Sequence, residues 1–426
     1  MDAQRPADPP PTLRAPMTSR QRWILLTGLV TQAVAVGLTH GIFPVFLEPI
    51  EAAFDAKRTL VAAGPVVMML ALTGSSLVTG HLFDRGYARR IMLSGATLLA
   101  LALALAATST NLWLLAGAAV LMGISVPSIG PLSGATLVTR YFAEERGRAL
   151  GWIGMGPPLG AGVFAGLAAY MLARTDWRTT LLAFAGVVIL LLWPLIWFVV
   201  PARFESRGAV NTQETRETKA TTATTQAAKG LTGSPFRTPV FWWTAGMFAL
   251  AAGISTGWTV HFVAYLGGQG FDDGERAALL SAQFWMAAPA SVVFGALGDR
   301  FRPTRLLYGI LAGQALILFL FSGSLIPAPL PHALVLALGI LSGLISGGLV
   351  PLFLLLLGRR IDGAAFSRAL GLSNVLMLPA VAGAVLFSAY CFESQGSYQW
   401  ALVGLAAGYL VALASLVASN RSGASR

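Results

Sequence analysis

The residues in this sequence that could do chemistry are few and lie in apolar surroundings. His40 sits beside Thr39 in one long uncharged stretch, and His261 sits in another between Trp258 and Tyr265. Imidazole titrates near neutrality, so either ring could take up a proton and hold an anion. Gln283, Asn374 and Ser128 add neutral hydrogen-bonding groups in further uncharged stretches. A polar group inside an apolar helix more often satisfies a packing neighbour, and for each histidine both readings stand. The chemistry on offer is binding and proton exchange, not bond making. The four histidines and the single cysteine, Cys391, show no metal-ligand spacing, and there is no phosphate-binding loop or nucleophile elbow. Neither a metal nor a cofactor is expected.

Composition sets the elements that must position these groups. Of the 426 residues 55% are apolar and only 11% charged, and the mean hydropathy is +0.70. A soluble domain carries about 25% charge, so a soluble enzyme, a disordered chain and a collagen-like chain are excluded. Ten uncharged stretches run from Trp23–Leu47 to Ser394–Asn420. Two of them, Ile91–Thr139 and Leu306–Gly358, are too long for one membrane helix of about 20 residues. Each holds a break: Thr108-Ser109-Thr110-Asn111 in the first, Pro327-Ala328-Pro329-Leu330-Pro331 in the second. Splitting both predicts an all-α membrane protein of twelve transmembrane helices, because backbone groups in lipid must be satisfied within each segment. The alternation of a membrane barrel is absent.

Of the 29 Lys and Arg residues, only Lys57, Arg58, Arg174, Arg178 and Arg276 fall on one side of such a bundle. The positive-inside rule then predicts cytoplasmic termini in a cell (inner) membrane protein. Residues 1–22 read as a polar tail, 23–202 as a six-helix half, 203–238 as a flexible linker, 239–418 as a second half and 419–426 as a short tail. The halves carry an internal repeat. A shift of 220 sets Gly123, Pro131, Arg140 and Arg148–Gly151 on Gly343, Pro351, Arg360 and Arg368–Gly371. A shift of 215 sets Gly80, Leu82, Asp84 and Arg85 on Gly295, Leu297, Asp299 and Arg300, and one of 217 sets Phe54-Asp55 on Phe271-Asp272. Duplicated six-helix halves are a secondary-transporter architecture.

The stretch from Gly80 to Arg90, GHLFDRGYARR, resembles the signature loop of the major facilitator superfamily, and Gly295-Ala296-Leu297-Gly298-Asp299-Arg300 resembles its repeat in the second half. Three shorter stretches are similar to the monocarboxylate and oxalate/formate branch: Gly41-Ile42-Phe43-Pro44-Val45-Phe46, Arg140-Tyr141-Phe142 with Arg146–Gly151, and Asp176-Trp177-Arg178. The resemblance implies two pseudo-symmetric halves rocking about a central site. It also implies that Asp84, Arg85, Arg89, Arg90, Asp299, Arg300, Arg140 and Arg360 act in gating. Gly156-Pro157-Pro158-Leu159-Gly160 partly resembles the superfamily's antiporter motif; the prolines bend the helix, and the glycines also suit close packing.

The resemblance places substrate contacts in spans one, four, seven and ten, and a basic residue in span eight or eleven of the branch. Here span eight, Leu280–Pro289, has no Lys or Arg, and all 29 basic residues fall in loops or at helix ends. Substrate binding is therefore expected from His40, His261, Trp258, Tyr265, Gln283, Asn374 and Ser128. The expected function is secondary transport of a small organic monocarboxylate by a monomer, coupled to protons or exchange. Export of an apolar or cationic compound and ligand sensing without flux are the alternatives. With basic residues dispersed over many short segments, nucleic acid is not an expected partner; the lipid bilayer is.

Overall fold

The computed structural model describes residues 17–142, 146–202, 238–324, 330–361 and 363–424. The tail up to residue 16, the linker over 203–237 and Pro327–Pro329 of the second break lie outside the described residues. Among the described residues twelve helices are long and apolar enough to cross a membrane. In the first half these are α1 Ser19–Phe54, α2 Arg58–Phe83, α3 Ala88–Ala107, α4 Leu112–Val138, α5 Ala149–Leu172 and α6 Trp177–Val199. In the second they are α7 Pro239–Gly268, α8 Asp273–Arg300, α9 Pro303–Phe321, α10 His332–Arg360, α11 Ala369–Gln395 and α12 Gln399–Ser422.

Local chemistry fixes the helix starts. Thr18 and Gln21 form a reciprocal capping box before α1, and Asp272 and Glu275 form another before α8. The break expected at Thr108–Asn111 is a turn in which the Asn111 side chain accepts from the Leu114 amide at 2.9 Å. Asp176 caps α6 by accepting from the Thr179 amide at 2.6 Å, and that bond holds its carboxyl below the usual range. Arg178, its neighbour in the Asp-Trp-Arg motif, donates to the Ser109 carbonyl at 3.0 Å. The motif thus ties the α5–α6 turn to the α3–α4 turn.

The duplication read from the sequence recurs in packing. A Cβ on Gly123 would strike the Met68 carbonyl, and one on Gly343 would strike the Gln283 carbonyl; α4 meets α2 as α10 meets α8. Likewise a Cβ on Gly37 or Gly41 of α1 would come within 2.6 Å of Gly160 or Ala161 of α5. On Gly253 or Gly257 of α7 it would come within 2.5 Å of Ala380 or Ala384 of α11. Small residues at these crossings let backbones touch, which is how helices associate where lipid removes the hydrophobic drive. Between halves, α2 packs on α11 and α5 on α8.

Two spans carry a π-helical turn. In α1 a π-helical turn occupies Gly37–Gly41, closed by the Ile42 amide donating to the Gly37 carbonyl at 3.1 Å. Pro44 follows and offers no N–H to the His40 carbonyl one turn back, so a widened turn is cheap there. In α6 the π turn Val188–Leu192 precedes Pro194 in the same way. The α5 region is divided at Met155, between helices Arg146–Gly154 and Gly156–Leu172, where Pro157 and Pro158 supply no amide protons.

Candidate functional site

The helices enclose a cavity of about 500 Å³ between the halves. Its walls come from α1 (Thr39, His40, Phe43, Pro44), α2 (Pro65, Met68, Leu72, Ser76), α4 (Val126, Pro127, Pro131, Leu132), α7 (Ser255, Thr256, Thr259, Val260) and Phe284 of α8. No Lys or Arg lines it among the described residues.

His40 is half-buried on the π turn of α1 and reaches this cavity. Its tautomer follows from its neighbours. The Thr39 hydroxyl donates to the Ala35 carbonyl at 2.7 Å, so its oxygen accepts from His40 Nδ1–H at 3.0 Å. That leaves Nε2 for the cavity: an acceptor when the ring is neutral, a cationic donor when it is protonated.

His261 is placed differently. It is fully buried and outside the cavity lining. Its Nε2 lies 3.0 Å from the Val385 carbonyl, which can only accept, so Nε2 carries the proton. Arg58 donates to the Tyr398 hydroxyl oxygen at 2.8 Å, and Tyr398 donates to His261 Nδ1 at 3.3 Å. Burial raises the Tyr398 phenol above its ordinary range, which keeps that donor protonated. The chain Arg58, Tyr398, His261, Val385 runs in one direction and requires a neutral imidazole.

This chain belongs to a seal across the end of the molecule opposite the described N-terminus. Arg58 is held by Glu51 through two bonds of 2.7 Å, and its guanidinium lies 4.1 Å over the Phe392 ring. The Thr59 amide donates to Glu393 at 2.6 Å, and Arg276 donates to Glu48 at 3.3 Å. Arg58–Tyr398, Thr59–Glu393 and Arg276–Glu48 each join one half to the other. The cavity walls lie beyond this seal, on the side where α1 begins and α12 ends. The molecule is thus closed at the far end, with its cavity on the terminal side.

The other expected substrate residues divide. Trp258 is buried within an aromatic cluster with Phe262, Tyr265 and Phe321, and the Tyr265 hydroxyl donates to the Phe321 carbonyl at 2.8 Å. Trp258 and Gln283 both line a smaller polar niche beside the cavity. Ser128 packs against Gly95 of α3, and Asn374 is exposed on α11; neither lines the cavity. The residues expected to gate stand as follows. The Asp84 side chain lies outside the described set. Arg85, Asp299, Arg300 and Arg140 are exposed. Arg89 donates to the Val200 carbonyl at 2.6 Å and lies over Trp197, and Arg90 lies over Tyr87. Arg360 donates to Thr244 at 2.6 Å, Asn420 at 2.5 Å and Ser419, so it binds α10 to α7 and α12 within one half. In the antiporter-like stretch Gly156 and Gly160 pack on α1, a Cβ on Gly160 striking the Ala33 carbonyl; Pro157 and Pro158 begin the second helical segment.

Sequence reasoning missed Tyr398, Glu51 and the niche residues Gln314 and Ser342. Gln314 was visible as an amide within an apolar span, but span nine does not belong to the expected cavity set.

Twelve helices in two like halves around a central cavity define a multi-pass membrane protein. The chain belongs to the Major Facilitator Superfamily, a family of transporters and not of enzymes, whose model matches residues 28–321. Among curated proteins it is 29% identical to monocarboxylate transporter 6 of Mus musculus over 174 residues, 39% of this chain and 36% of that one. It is 28% identical to a gallate transporter of Pseudomonas putida over 284 residues, 59% of this chain and 61% of that one. To the MFS-type transporter YhjX of Escherichia coli K12 it is 32% identical over 144 residues, 32% of this chain and 35% of that one. The matched region therefore spans less than two thirds of each of these relatives. A bacterial homologue of the human lysosomal transporter Spinster shares the fold with a TM-score of 0.73 at 12% identity, covering 96% of this chain and 98% of that one. A D-xylose-proton symporter does so with a TM-score of 0.75 at 14% identity, covering 93% and 97%.

Proposed function

We propose that this chain carries a small organic monocarboxylate with an apolar body across the cell membrane, together with a proton, by alternating access as a monomer. The observation that carries this reading is His40, set on a π turn with Nε2 free for a ligand in a cavity without Lys or Arg. A carboxylate meets a lone pair on the neutral ring and a charged N–H on the protonated one. Proton and anion therefore bind together or leave together, each raising the other's affinity. Met68, Leu72, Val260 and Phe284 offer apolar contact to the rest of the solute. Two of the similar proteins are named for monocarboxylate and gallate transport, which supports the same class. On the arginine distribution we read both termini as cytoplasmic, so the cavity described here faces inward.

Uptake should rise as external pH falls from about 7.5 to 5.5, because the His40 ring must gain its proton to hold the anion. His40→Ala should cut uptake at the acid end at least about tenfold, the cost of a lost charge-assisted hydrogen bond, and flatten the profile. Radiolabelled benzoate and lactate uptake by wild type and variant is the measurement. A profile that keeps its acid rise without His40 refutes the proton site.

A further inference from the structure

The niche beside the cavity, about 70 Å³, is bounded by α7, α8, α9, α10 and α12 and shares Ser255, Thr259 and Phe284 with the cavity wall. One water needs about 10–15 Å³, so the niche has room for a small polar group. Three of its hydrogen bonds fix one another. Gln314 Nε2 donates to the Ser342 carbonyl at 2.8 Å, which turns Gln314 Oε1 toward the Ser342 hydroxyl. That hydroxyl donates to Gln314 Oε1 at 3.1 Å, so its oxygen accepts from Gln283 Nε2 at 3.3 Å. The Gln283 amide is thereby fixed with Oε1 left over. Gln283 Oε1 and the Trp258 indole N–H are both buried without a protein partner. The two residues are only 8% and 3% exposed.

One free acceptor and one free donor, both deeply buried, call for a group that donates and accepts at once. A carboxylate would suit Trp258 and set its second oxygen against Gln283 Oε1. An ammonium would suit Gln283 and oppose the indole N–H. A hydroxyl satisfies both. We propose that the Trp258–Gln283 niche binds a hydroxyl group of the transported acid, making the preferred substrate a hydroxylated organic monocarboxylate. This rests on the transport reading above: the carboxylate lies toward His40 on the first half and the hydroxyl toward the second half. A solute held by both halves also gives the halves a reason to close around it.

The test is titration of the purified full chain with benzoate, its three monohydroxy derivatives, propionate and lactate, followed by thermal stabilisation. At least one hydroxy acid should bind about tenfold more tightly than its parent, because the parent leaves two buried groups unpaired. Trp258→Phe and Gln283→Leu should each erase that advantage while leaving parent-acid affinity unchanged, which also shows that the variant is folded. Ser342→Ala, which releases the Gln283 amide to rotate, should reduce the advantage partly. Equal binding of hydroxy and parent acids, or an advantage that survives both substitutions, overturns the niche and leaves the transport reading standing. Parent-acid affinity that falls with the niche variants means the carboxyl itself sits there, and also overturns it. Binding of none of these acids overturns both.

Discussion

Arg58→Ala is expected to open the far end of the molecule and to disable concentrative uptake. Arg58 is the hub of the seal: its side chain is only 10% exposed, Glu51 holds it with two bonds of 2.7 Å, and it donates to Tyr398 of the other half at 2.8 Å. Glu51 lies in the same half and stays beside Arg58 in either form, so the closed form alone loses the contacts that cross the halves, the bond to Tyr398 and the face of Phe392. A hydrogen bond to a charged group contributes about 1.5–3 kcal/mol, which sets the cost to the closed form at about 2 kcal/mol. That shifts the equilibrium between the two forms about 30-fold toward the one open at the far end. Thr59–Glu393 and Arg276–Glu48 remain, so the variant still samples both states, but unequally. The readout is a cysteine at Thr256 in the cavity wall, in a Cys391→Ser background. An impermeant maleimide applied from the far side should label it in Arg58→Ala and hardly at all with Arg58 present. Equal labelling in the two would show that this seal does not hold the closed state.

Gly160→Leu should have the larger effect on the folded protein itself. The α1–α5 crossing leaves no room for a side chain: a Cβ on Gly160 strikes the Ala33 carbonyl, and one on Gly156 comes 2.6 Å from the Leu29 carbonyl. Backbone cannot rotate aside as a side chain can, so overpacking here exceeds the usual range of about 1–3 kcal/mol. The same crossing supports the π turn bearing His40, through Gly37 against Gly160 and Gly41 against Ala161. The variant should therefore lose thermal stability and substrate binding together. Gly154→Ala, at a glycine of the same run with open space around it, should leave both unchanged. A Gly160→Leu protein that melts and transports like wild type would refute the account of this crossing.

Uncharged length, the Thr108–Asn111 turn and the repeat offsets were legible in the sequence because they depend on composition and on local chemistry alone. The repeat was even legible in packing, since Gly123 and Gly343 serve equivalent crossings. Which way a span faces was much less legible. In the seventh span Ser255, Thr256 and Thr259 turn to the cavity while His261, two residues on, is buried away from it, so polarity alone does not tell one from the other. His40 and His261 look alike in sequence, yet one reaches the cavity and the other completes a buried chain. The partner that decides this, Tyr398, is 137 residues from His261. The π turn under His40 could be suspected from Pro44, whose missing N–H frees a carbonyl, but not located. The niche escaped because its logic is a sequence of donors and acceptors across α8, α9 and α10, visible only once those helices are side by side.

Counterflow most directly tests whether this molecule moves a solute and does not merely bind it. Vesicles holding the purified chain are loaded with unlabelled hydroxybenzoate and diluted into a trace of the labelled acid. Two-sided exchange predicts that label rises transiently above its equilibrium level inside, more strongly at pH 5.5 than at 7.5, and that Arg58→Ala blunts the rise. Saturable binding of the same acid with no overshoot at either pH would mean a receptor with a transporter's fold.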